Sequence, residues 1–144
     1  MKPGYLSIET NEERKGLVRL LVAASQPDAA APHAVRRIRY TARFNDSEAA
    51  LMHSHELLKR RLLDPDAHLY RCPLERAIAA VESLGLRYNR VYLDAGLSDA
   101  QRSQIAFLSE RYRARRRQKE LIFQTLGYIA LLILLLNLFV LSSA

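Results

Sequence analysis

The chain has a single cysteine, Cys72, so no disulfide can form within it, as expected of a reducing compartment. No apolar stretch near Met1 resembles a secretory leader, which gives the same expectation. Glycine-rich phosphate loops, nucleophile elbows and dinucleotide fingerprints are all missing. Two further absences are local. Neither glycine nor proline occurs between Ser98 and Gly127, and no charged side chain occurs between Leu121 and Leu141. The first permits one helix to run from about Asp99 onward. The second makes its distal part a membrane span, because 21 apolar-dominated residues at about 1.5 Å each cover the roughly 30 Å of a bilayer's hydrocarbon core. The rest of the chain is too small to wrap an all-round apolar helix, which argues against a buried core helix. With only Ser142, Ser143 and Ala144 after the span, a tail anchor is expected.

Charge gives the orientation. Of the formal +7, residues 111 to 120 hold +5: Arg111, Arg113, Arg115, Arg116, Arg117 and Lys119 against Glu120. The remaining +2 is too small for the electrostatic footprint of a nucleic-acid binder, so no nucleic-acid partner is expected. Placed directly before the span, the run marks the cytoplasmic side and meets anionic headgroups. Arginine outnumbers lysine 18 to 4 beside abundant alanine and leucine, a composition that suggests a GC-rich bacterial gene. The expected location is a bacterial inner membrane, with a single pass and a cytoplasmic N-terminal domain.

Residues 1–97 read as one small α+β domain in the order βββαβαβ, for which a ferredoxin-like sandwich is the nearest architecture. Gly4 to Thr10 alternates with Leu6 and Ile8 inward, and Leu17 to Ala24 returns as its hairpin partner across a charged loop ending at Gly16. Gln26 to Ala34 has no period and reads as a surface loop. In Val35 to Phe44, Ile38, Tyr40, Ala42 and Phe44 alternate with Arg37, Arg39, Thr41 and Arg43, which predicts a strand carrying three arginines on one outer side. That side is either a solvated surface or a patch for an anion or acidic partner, since guanidinium suits carboxylate and phosphate.

A capping box at Asn45 to Glu48 opens a helix that Asp64-Pro65 closes, with Leu51, His55, Leu58 and Leu62 on its stripe. Ala67 to Arg71 is a short strand. Pro73 starts a second helix with Leu74, Ala77, Ile78, Val81 and Leu84 inward and Gly85 as its left-handed cap. Arg87 to Leu93 is the last strand. A second capping box, Ser98 to Gln101, opens the basic connecting helix at 98–120, whose stripe of Ile105, Leu108 and Tyr112 rests on the domain or a neighbour. The span follows at 121–141 and an outer tail at 142–144.

The chemistry-bearing residues do not assemble into a metal site. His53 and His55 stand roughly 200° apart around a helix. His68 and Cys72 could approach across a strand-to-helix turn, but two ligands fall short of a zinc site, and His33 has no partner motif. Cys72, before Pro73 and beside Arg71, is either a thiol activated at a helix start with His68 as base or an inert residue at the core edge. His55, in an apolar stripe, reads as a partly buried, hydrogen-bonded histidine. Neither a cofactor nor a catalytic set is expected.

The function expected is a non-enzymatic accessory, scaffold or assembly subunit of a larger membrane complex. The alternatives are a tethered enzyme using His68, Cys72 and the arginine face, or a module sensing an anionic ligand or lipid. Within the span, Gly127, Ala130 and Asn137 share a side and form the expected contact with another membrane-protein helix.

Overall fold

In the computed structural model, residues 2–28 and 35–142 are described, with side chains as far as 139. His33 and most of the connection assigned to 26–34 lie outside the described residues. Strand β1 (Gly4–Asn11) turns through Gly16, at φ +83°, into β2 (Leu17–Ala23), with Tyr5 opposite Ala23 and Thr10 opposite Val18. Nothing lies within 4 Å of where a Cβ would stand at Gly16, and glycine is favoured there because positive φ is strained for any residue that carries a side chain. Strand β3 (Arg36–Phe44) pairs with the other edge of β1.

Helix α1 (Ser47–Leu58) begins one residue later than the sequence suggests: Asp46, not Asn45, is the cap, its carboxylate accepting from the Ala49 amide at 3.1 Å. Glu48 is drawn to Lys2 instead of closing the box. The helix also stops early. A 3-10 turn at Lys59–Arg61 leads to a three-residue strand, β4 (Leu62–Asp64), in place of the expected helix end. Strand β5 (Leu69–Arg71), α2 (Leu74–Glu82), β6 (Tyr88–Leu93) and α3 (Asp99–Ser142) complete the chain.

The fold is α+β with one six-stranded antiparallel sheet in the order β4-β5-β2-β1-β3-β6. The element order is therefore βββαββαβ, one strand more than expected, and this strand order gives no support to a ferredoxin-like arrangement. The pairings make β3 run the same way as β4, and β5 the same way as β6. Each such pair is bridged by a helix, α1 or α2, that must cross the sheet, because strands running the same way cannot be joined by a hairpin.

One face of the sheet buries Leu6, Ile8, Val18, Leu20, Tyr40, Ala42 and Phe44 in the core. At roughly 1.5–3 kcal/mol for each large apolar side chain removed from water, this layer is the main stabilising contribution. Helix α2 buries every residue from Ala77 to Glu82, and its three alanines let the backbone approach closely. In α1 the buried line is Ser47, Ala50, Ser54 and Leu58, with Leu51 and His55 at its margins, so the helix is rotated from the expected stripe. On the opposite sheet face Ser7 and Thr41 are buried too, and their hydroxyls share a 3.0 Å hydrogen bond.

Two compact units divide the chain after Tyr112. The first includes the opening turns of α3, where Ser98 and Gln101 exchange the reciprocal bonds of a capping box at 3.0 and 3.2 Å. There Ile105 enters the core while Leu108 and Tyr112 pack against it. The second unit is the remainder of α3, and every side chain from Arg115 to Phe139 in it is exposed.

Candidate functional site

Strand β3 does not present three arginines together. Its register against β1 slips between Ile8, opposite Tyr40, and Glu9, opposite Ile38, so Arg39 is an extra residue in a bulge. The slip reverses the alternation beyond it. Arg43 stands opposite Tyr5, whereas Arg37 stands opposite Thr10, on the other side of β1's pleat. Ile38 correspondingly leaves the core register and is only half-buried.

Arg37 and Arg39 instead converge on Asp94, at the end of β6. The Arg37 guanidinium donates to Oδ1 at 3.1 Å, and Arg39 Nε lies 2.7 Å from Oδ2. The Asp94 side chain is 2% exposed, so this carboxylate is buried and neutralised by two cations. It also accepts from the Gly96 amide at 2.9 Å, and its own amide donates to the Arg39 carbonyl at 2.9 Å. The cluster thus ties the start of β3 to the turn that leads into α3. Arg43 stays apart and exposed, opposite Asn89 of β6.

A second buried carboxylate, Glu82 of α2, meets Arg90 at 2.6 Å. Arg90 reaches the helix side because β6 is bulged as well, which sets Arg90 opposite the inward Ala42. Burial first, and then the nearby Glu82 carboxylate, hold the Tyr40 phenol far above its ordinary range. Tyr88 stacks on Phe44 beside this group, with ring centroids 5.6 Å apart.

His68 and Cys72 are held apart by β5, which lies between them. The strand Leu69–Arg71 stands between them, roughly 10 Å long at about 3.3 Å per residue, so the approach that a turn could have allowed does not occur. His68 occupies the left-handed region at φ 49°, in a turn where the Asp64 carboxylate accepts from the Asp66 and Ala67 amides. Pro73, not Cys72, caps α2, and the thiol is buried. Burial pushes the Cys72 thiol up to about 11, against a smaller opposing effect of the Arg76 and Arg61 charges. This direction favours the inert alternative over a thiol activated at a helix start. His55 Nδ1 lies 3.2 Å from the hydroxyl of buried Tyr70, a hydrogen bond that anchors the margin of α1 to β5. His53 is exposed. Among the described residues, no three His, Cys, Asp or Glu side chains come together as a metal site.

The raised thiol makes stability depend on pH. In the unfolded chain Cys72 ionises near its ordinary 9.0, whereas the folded chain retains the proton to about 11. The unfolded state therefore sheds a proton first as pH rises, so stability is complete below pH 9 and falls between 9 and 11, by on the order of 2 kcal/mol. Urea titrations from pH 8 to 11 should show this slope reduced in Cys72→Ala relative to the native chain. An identical slope in both would contradict the burial of the thiol.

The membrane-facing candidates lie on α3, which is long and apolar enough to cross a bilayer by length and composition. Residues Leu121–Phe139 expose every side chain, including Leu132 at 68% and Phe139 at 72%. Two polar side chains inside this stretch donate to the helix's own backbone. Thr125 Oγ1 donates to the Leu121 carbonyl at 2.8 Å, and Asn137 Nδ2 donates to the Ile133 carbonyl at 3.1 Å. Gly127 has no atom within 4 Å of where a Cβ would stand, and Ala130 and Asn137 share its side of the helix. Of the basic residues, Arg111, Arg115, Arg117 and Lys119 are exposed, Arg113 is half-buried, and Arg116 pairs with Glu120 at 3.0 Å.

Two of these buried carboxylates have local signatures in the sequence. Asp94 two residues before Gly96 is an Asx-turn pattern. Glu82, one position beyond Val81 in the helical pattern, continues the buried end of α2. Neither pattern names the arginine that neutralises it.

No protein-family model, curated protein or solved structure matches this chain.

Proposed function

We propose that the chain is a non-enzymatic accessory, scaffold or assembly subunit of a larger complex in a bacterial inner membrane, held by a single membrane helix with its α+β domain on the cytoplasmic face. The observation that carries this reading is the apolar second half of α3, exposed along its whole described length and preceded at once by a basic run. Exposed leucine over about 30 Å needs lipid or other helices around it. The positive run at its start is the feature that orients single spans.

In the domain, three groups weighed for chemistry are engaged in ion pairs or buried, which supports this reading. Asp94 ties down two arginines, Glu82 is held against Arg90, and the Cys72 thiol is buried and protonated. A subunit that positions others needs a defined surface and a fixed place in the membrane rather than a nucleophile. Within the span, Gly127 and Ala130 allow a second helix to approach closely, and the Asn137 side-chain carbonyl offers it an acceptor.

The reading is tested by purifying the tagged full-length chain from its native membrane in mild detergent. A stoichiometric integral-membrane partner should accompany it, and Ala130→Ile or Asn137→Leu should shed that partner while still inserting, with losses of roughly 0.6–2 kcal/mol in association. A chain that comes away alone, or variants that retain the partner fully, would contradict the subunit role and the contact side respectively.

A further inference from the structure

We infer that Arg115 and Lys119 form a binding surface for the anionic phospholipid headgroups of one leaflet, on the reading above that the second half of α3 crosses the bilayer. The basic run is not uniform around the helix. At roughly 100° per residue, Arg115 and Lys119, four apart, share one side, whereas Glu120 lies roughly 100° from Lys119 and 140° from Arg115. Glu120 is engaged elsewhere, accepting from Arg116 Nε at 3.0 Å, and Arg113 also has a partner within the chain. Arg111, Arg115 and Lys119 are exposed and follow one another four residues apart, so that Arg115 and Lys119 meet like charge at a spacing that is repulsive on a helix. The counter-charge must come from outside the chain.

Position decides which anion supplies it. Lys119 precedes Leu121 by roughly 3 Å along the axis and Arg115 by roughly 9 Å. The headgroup layer is roughly 5–7 Å thick in each leaflet, and long cationic side chains extend their charge several ångströms along an apolar boundary. Both cations therefore reach the level of the lipid phosphates. Arginine brings a planar fork that matches phosphate oxygens in pairs, and lysine a compact charge nearer the hydrocarbon edge. A bulky acidic protein surface cannot enter that layer as a lipid phosphate does.

The test uses the full-length chain reconstituted into vesicles. Flotation with neutral phosphatidylcholine vesicles in high salt examines the span alone. Spin-labelled phosphatidylglycerol and phosphatidylcholine then report the lipid selected at the helix. At physiological salt the native chain should prefer the anionic lipid about fivefold or more, as expected for a cation near an anionic surface. Arg115→Gln with Lys119→Gln should bring the preference close to one. Arg113→Gln with Arg117→Gln removes the same charge from the opposite side and should keep most of it. An unchanged preference in the first variant, or an equal loss in the second, would overturn the inference while flotation leaves the span standing. Failure to float would overturn the span itself.

Discussion

Changing both Leu131 and Leu134 to arginine is expected to release the chain from the membrane fraction. These positions fall at the middle of the apolar stretch, where each arginine raises the insertion free energy by about 2.5–3.5 kcal/mol. Two such changes add about 5–7 kcal/mol and remove the advantage of a single span. The first unit should be untouched, because the side chains of both leucines are exposed and lie outside it. Fractionation with alkaline washing should find the native chain in the pellet and the double variant in the supernatant or degraded. Leu131→Ala with Leu134→Ala, which shortens the side chains without adding charge, should remain in the pellet.

The second large effect belongs to the domain. Asp94→Ala removes a buried carboxylate that neutralises Arg37 and Arg39 and accepts the Gly96 amide. The Arg39 side chain is only 22% exposed, so it cannot turn fully to water when its partner is gone. Removing one partner of a buried pair costs about 3–5 kcal/mol, and the half-exposure of Arg37 places the expected loss at the lower end, about 3 kcal/mol. Asp94→Asn retains an oxygen for the Gly96 amide and should lose less. Thermal unfolding of the full chain in mild detergent, followed by tyrosine near-ultraviolet dichroism, would show the order native, Asn, Ala. Equal midpoints for native and Ala would remove the cluster's structural role.

The difference between Asp94 and the long helix shows what local sequence can reveal. The β1–β2 hairpin was legible because Leu6 and Ile8 alternate with polar neighbours and Gly16 supplies the turn. The Ser98–Gln101 box was legible because both of its bonds lie within three residues. The length and apolar character of the second half of α3 were legible from residue count alone. In contrast, β4 has three residues, too few to show a period, and it is a strand only because β5 pairs with it. The bulge at Arg39 is set by β1, about thirty residues away in the chain, and no feature of β3 taken alone announces it. An ideal alternation would have put Arg37, Arg39 and Arg43 on one side, and a single inserted residue sets Arg43 apart from the other two. Asp94 lies 57 residues from Arg37, and such pairs follow from topology rather than pattern.

Cysteine accessibility would test most directly the claim that α3 crosses the membrane with the domain inside. Cys72 is buried and should give little background to a maleimide that cannot cross membranes. One thiol would be introduced at Ser25, which is exposed in the domain, and another added after Ser143 in a separate chain. In intact spheroplasts the thiol after Ser143 should label at once, and the one at Ser25 only after permeabilisation. Labelling of both thiols from the same side would contradict the span, and the reverse pattern would contradict the orientation.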